Sequence, residues 1–303
     1  MVARPLLPSC VAEVLGTFLL VLFGCGAVHV AVLLGDLNGL WQVGMVWGVS
    51  IMLAIYVFGP ISGAHINPAI TFGLAGWGLF PAYRVIPYVV SQFTGAFLAA
   101  AVLFFLFEPQ LAARELALGV SRGDPGSELT AMCYGEYFPN PAALSASGEP
   151  YDAAAHAAWN ERVTMPMAGV AEFLATAILA LVVVAVTEPG NVTGPKNLAP
   201  VFIGVTVTGL ICVIAPLTQC CLNPARDFGP RTFASLAGWG SIALPGPQGA
   251  DILVVYLAAP IAGALAGVGV YQWILRPHVV AVDGGPHAET TATARTLEEP
   301  VNG

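Results

Sequence analysis

Six long apolar runs punctuate the chain, at residues 9–34, 40–59, 83–107, 166–187, 199–216 and 252–275. Each is close to the ~20 residues a helix needs to cross a bilayer, so each predicts a spanning helix. Two shorter apolar stretches open on the same tripeptide. The first is Asn67-Pro68-Ala69 within SGAHINPAITFG, and the second is Asn223-Pro224-Ala225 within QCCLNPARDFGPR. Asparagine is a favoured N-cap, and proline suits a first helical turn because its φ is preset and it has no N–H to leave unpaired. Each box therefore predicts a short helix starting at membrane depth, the first ending near Gly78 and the second near Ser235. A Gly-Trp-Gly recurs near each end, at 76–78 and 238–240.

The polar stretches divide the chain. Residues 108–165 are acidic and rich in Gly and Pro, and predict a long extramembrane loop. Residues 188–198 form a short linker, and the tail at 276–303 reads as disordered and cytoplasmic. The flanking parts, 1–107 and 166–275, are two copies of one unit. VAEVLGTFLLVLF (11–23) matches VAEFLATAILALV (170–182), and the boxes and Gly-Trp-Gly segments follow at nearly the same offset. Each copy has three spans and one half-span. Three is odd, so the second copy enters from the opposite face, and the repeats are inverted. Such folds place their sites at the repeat interface near the midplane. The two half-helices are expected to meet head to head there, buried in protein or lining a wet cavity.

Composition narrows the class. The 303 residues are 57% hydrophobic and 9% charged, against ~25% charged in soluble domains, so a multi-pass membrane protein is expected. The net charge of −8, with its acids gathered in the loop and tail, argues against nucleic acid. The six cysteines show no metal-ligand or redox spacing, so neither metal nor cofactor is expected. No signal-peptide pattern is clear. Basic residues outside the long loop favour both termini on the cytoplasmic side.

Glu13 and Glu172 are matched carboxylates inside spans one and four. A carboxylate in hydrocarbon marks function by default. No nucleophile or metal partner accompanies them, so the favoured reading is a brace. Each would accept backbone N–H groups of the adjacent box loop and aim that loop's carbonyls into a pore; a polar helix–helix contact is the alternative. The loop segments are Gly63-Ala64-His65 and Gln219-Cys220-Cys221-Leu222, whose carbonyls would form a ladder of acceptors. His65 reads either as a pore-carbonyl residue or as a buried structural histidine. Arg226 reads as a fixed lumenal cation that repels cations and donates to hydroxyls, or as a structural partner of Asp227.

The two boxes, the NPARDFGPR stretch, the paired glutamates and the six-span inverted repeat resemble the aquaporin superfamily over about residues 9–276. Asp227, Pro216-Leu217-Thr218 and Pro139-Asn140-Pro141 are similar to the aquaglyceroporin branch and its bacterial glycerol facilitators. The resemblance implies an all-α fold of six transmembrane helices plus two half-helices. It implies a homotetramer in the plasma (inner) membrane, with one pore per subunit. It also implies a four-position selectivity filter at Trp47, Ile211, Cys220 and Arg226. Glycerol facilitators typically carry Trp, Gly, Phe and Arg there, so Ile211 and Cys220 depart, as does Tyr256 where a Pro is usual. The function implied is a passive channel, not an enzyme, for glycerol, small neutral polyols and water, excluding ions and protons. A water-dominant channel and, more distantly, an ion-coupled transporter are the alternatives.

Overall fold

The computed structural model describes residues 5–37, 39–142 and 152–281. Among the described residues, six spanning helices, two half-helices and two loop helices surround the boxes. The spanning helices are α1 (Leu6–His29, extended by a π-turn Val30–Leu34), α2 (Leu40–Ser62), α4 (Val85–Leu118), α7 (Met165–Thr187), α8 (Ala199–Thr218) and α10 (Asp251–Val279). All six are long and apolar enough to cross a membrane. The half-helices are α3 (Pro68–Gly76) and α9 (Pro224–Ala234), and the loop adds α5 (Glu128–Ala131) and α6 (Ala153–Asn160).

The packing is duplicated. Helix α1 lies on α4 as α7 lies on α10, and each half-helix rests on the third spanning helix of the other repeat. Glycines make this possible. A Cβ on Gly95 of α4 would run into the Val14 carbonyl, and one on Gly263 of α10 into the Phe173 carbonyl. Val14 and Phe173 directly follow Glu13 and Glu172, so these close crossings hold each glutamate at a helix junction. Gly73 of α3 meets Ala264 of α10, and Gly229 of α9 meets Ala96 of α4. Helices α2 and α8 close the repeat interface, with Gly48 facing the Gly204 carbonyl and Thr208 Oγ1 donating to Gly44 O at 2.9 Å.

The observed elements depart from the sequence expectation in three places. Helix α4 does not stop at residue 107; it continues through Pro109 to Leu118, because Leu111, Glu115 and Leu118 keep burying one face. The segment 108–165 is not wholly solvated, since residues 126–139 are all buried and fold inward over the mouth of the bundle. The tail begins as helix, Arg276–Ala281 continuing the last span. The remainder expected to be disordered, 282–303, lies outside the described residues, as does 143–151 of the loop.

Candidate functional site

The two box loops share one unusual backbone. Gly63, Ala64 and Ile66 have positive φ (99°, 47° and 44°), and so do Gln219, Cys220 and Leu222 (61°, 66° and 56°). The positions match: fourth, third and first before each box Asn. For non-glycine residues this left-handed region is costly and persists only where the surroundings enforce it.

The glutamates supply that enforcement. Glu13 accepts the N–H of His65 (2.9 Å) and of Ile66 (2.7 Å), and Gln92 Nε2 donates to it at 2.8 Å. Glu172 accepts the N–H of Cys221 and of Leu222, both at 2.9 Å, and the Thr218 hydroxyl at 2.6 Å. A second layer repeats too. Ala64 N–H donates to Ser62 Oγ as Cys220 N–H donates to Thr218 Oγ1. The phenols of Tyr88 and Tyr256 donate to the Ser62 and Thr218 carbonyls (2.8 and 3.2 Å). Tyr256, a departure from the usual Pro, is thus the duplicate of Tyr88.

The boxes lock each other. Asn67 caps α3 by accepting the Ala69 N–H at 2.8 Å, and Asn223 caps α9 by accepting the Ala225 N–H at 3.1 Å. Asn67 Nδ2 then donates to Leu222 O, and Asn223 Nδ2 to Ile66 O, each at 2.8 Å. A carboxamide carries two N–H donors. One is spent on the crossing, which leaves one on each Asn for a guest between the two helix N-termini.

Beside them runs a cavity of ≈ 580 Å³. Trp47 from α2, Ile211 from α8, Cys220 from the second loop and Arg226 from α9 all line it, as do both box asparagines. Gln219, Cys221 and Leu222 also line it, whereas Gly63, Ala64 and His65 are not among its lining residues. The His65 ring packs against both Phe80 and Tyr88 (centroids 4.5 and 5.2 Å) and meets Thr71 Oγ1 at 3.2 Å. That ring plays the structural part, while the His65 N–H binds Glu13.

Arg226 is 6% exposed, and its guanidinium lies 4.4 Å over the Trp47 ring. Its acidic partner is Glu136, from the inward-folded loop. The alternative pairing with Asp227 is not the one present. Asp227 is held by Arg231 one turn on, at 3.0 and 3.1 Å. Together they clamp the loop, Asp227 accepting the Glu136 N–H at 2.6 Å and Arg231 donating to the Glu136 and Ala243 carbonyls. Gln219 accepts the Tyr137 N–H at 2.8 Å, and Asn140 Nδ2 donates to Ala215 O at 2.8 Å. Burial raises the Tyr137 phenol above its usual range, so it stays a neutral donor to Ile242 O.

Sequence reasoning missed Glu136, Arg231 and the Tyr88/Tyr256 pair. Arg231 had a local signal, its i,i+4 spacing from Asp227. Glu136 had only the oddity of an acid inside an aromatic run, Met132–Phe138.

A family model described as Major intrinsic protein matches residues 2–271. The chain is 38% identical over 269 residues to the glycerol uptake facilitator protein of Haemophilus influenzae, covering 89% of this chain and 94% of that one. It is 36% identical over 267 residues to a propanediol uptake facilitator of Citrobacter freundii, covering 88% of this chain and 91% of the relative. Among solved structures, the aquaglyceroporin from Plasmodium falciparum superposes with a TM-score of 0.73 at 21% identity, covering 91% of this chain and 99% of that one. That likeness bears on the fold, an all-α bundle of six membrane-length helices and two half-helices.

Proposed function

The chain belongs to the major intrinsic protein family, and from that premise we propose that it is a passive channel for glycerol, related small neutral polyols and water. The observation that carries this reading is the composition of the cavity lining. Trp47 and Ile211 give it apolar walls, Arg226 and the two box asparagines give it donors, and the left-handed second loop gives it acceptors. A polyol presents a carbon edge and a hydroxyl edge, which match those two sides. Cations and protons are opposed by the positive ends of α3 and α9.

Glu13 and Glu172 support a channel over an ion-coupled transporter or an enzyme. Every carboxylate oxygen of the pair already accepts a hydrogen bond from the box loops or their neighbours. Groups so engaged are scaffold and are poorly placed to load and release a coupling proton. All the residues that line the cavity come from a single chain, in keeping with a homotetramer of independent channels in the bilayer. An even number of spans puts both termini on one side. Arg84, Lys196 and Arg276 stand at helix ends that would share that side, the cytoplasmic face of the inner membrane.

The test is stopped-flow light scattering on proteoliposomes, with water and glycerol flux measured in one preparation. Both should exceed empty vesicles by at least about tenfold. Water flux without glycerol flux would reject the polyol reading and leave a water-dominant channel. Ile211 is the observation that favours that second reading, because a β-branched side chain takes space at the filter.

Cys220 supplies a further prediction. It is 5% exposed and lines the cavity, whereas the thiol of neighbouring Cys221 donates back to Asn223 O at 3.4 Å. Mercurials should slow flux several-fold, and Cys220→Ser should abolish that sensitivity. Sensitivity unchanged in the variant would move the reactive thiol to Cys25, Cys133, Cys212 or Cys221.

A further inference from the structure

The filter holds a carboxylate as well as a guanidinium. The Glu136 side chain is 1% exposed and that of Arg226 7%. Both line the same cavity. Oε1 of Glu136 is taken up by the ion pair, and Oε2 has no hydrogen-bond partner among the described residues. A buried carboxylate oxygen left in that state is costly and calls for a donor. The Glu136 backbone cannot swing away to find one, because Asp227 and Arg231 grip its N–H and its carbonyl. Glu136 lines the cavity, so this oxygen is within reach of whatever occupies it.

Guanidinium nitrogens donate only, and carboxylate oxygens accept only. Set side by side, they make opposite demands on neighbouring hydroxyls. One hydroxyl oxygen accepts from Arg226 while the next hydroxyl donates its proton to Glu136. Two hydroxyls on adjacent carbons satisfy both at once. A further carbon between the hydroxyls adds a rotor that must be fixed before both groups are engaged, so the longer diol gains less from the pair.

We infer that Glu136 is a specificity-determining residue that makes this filter prefer vicinal diols over diols whose hydroxyls are separated by an extra carbon. The inference rests on the polyol-channel reading above, and it assigns that channel's substrate class within the polyols.

Two isomers test it, 1,2-propanediol and 1,3-propanediol, which share formula and nearly share volume. Full-length protein is reconstituted and the flux of each isomer is measured in the same vesicles. The ratio is internal to each preparation and does not depend on the fraction of folded protein. The unaltered chain should pass the 1,2-isomer about tenfold faster, the low end for a hydrogen bond to a charged group. Glu136→Leu should bring the ratio close to one. Glu136→Gln, which keeps one acceptor and the shape, should fall between. A ratio near one in the unaltered chain, or a preference that survives both substitutions, would overturn the inference. Passage of water with neither isomer nor glycerol crossing would instead bring down the polyol reading, and this inference with it. Passage of glycerol with no isomer preference would bring down the inference alone.

Discussion

Replacing Glu172 with leucine is expected to abolish flux and to cost the folded protein on the order of 5 kcal/mol. The substitution strips the acceptor from three buried donors: the N–H groups of Cys221 and Leu222 and the hydroxyl of Thr218. A buried donor left unsatisfied costs about 1–3 kcal/mol. The same donors hold Cys220 and Leu222 at positive φ, so the loop would relax towards ordinary backbone and withdraw its carbonyls from the cavity. Glu172→Gln keeps one acceptor oxygen but turns an amide N–H₂ towards another donor, and should cost about half as much. Thermal unfolding in detergent, read beside proteoliposome flux, checks both. The melting temperature should fall by about 10 °C or more for the leucine variant. A leucine variant with unchanged melting and flux would show that the loop keeps its shape without the brace.

Glu13 should behave alike in its own repeat, with one difference. Its third partner is Gln92 of α4, whereas the third partner of Glu172 is Thr218 at the mouth of its own loop. Loss of Glu13 should therefore also loosen α4 against α1.

The duplication explains why so much of the site was legible in the sequence. A helix start at membrane depth needs a cap and a residue without an N–H, so Asn-Pro appears twice. A left-handed loop in hydrocarbon needs an acceptor, so Glu13 and Glu172 appear twice at matching places. What was not legible depends on residues far apart in the chain that follow neither repeat. Glu136 reaches Arg226 only because residues 126–139 fold inward, and hydropathy reads that stretch as polar loop. Pro109 looks like a helix end in sequence; the buried face of Leu111, Glu115 and Leu118 outweighs it. The substitution at Tyr256 looked like a loss of family pattern. It is a restored symmetry, since its phenol does for Thr218 what Tyr88 does for Ser62.

The inward loop also changes what Arg226 is worth as a barrier. Read from sequence, Arg226 is a bare cation in the lumen, and removing it should simply weaken cation exclusion. With Glu136 beside it, the filter pair is formally neutral, and Arg226→Val leaves a buried carboxylate with no counter-charge. Breaking a buried pair from one side is strongly unfavourable, by about 3–5 kcal/mol, unless the remaining charge finds a partner. In a wet pore the available partner is a cation. Arg226→Val should therefore conduct protons or sodium at least about tenfold faster than the unaltered chain, measured with a pH-sensitive dye and an imposed potential in proteoliposomes. The double variant Arg226→Val/Glu136→Gln removes both charges and should leak far less than the single one, leaving exclusion to the positive ends of α3 and α9. Equal leak in the two variants would mean that Arg226 alone supplies the filter's share of the barrier. A tight single variant would mean that the helix ends suffice even against an exposed carboxylate. The double variant is thus what separates the charge of Arg226 from the charge it hides.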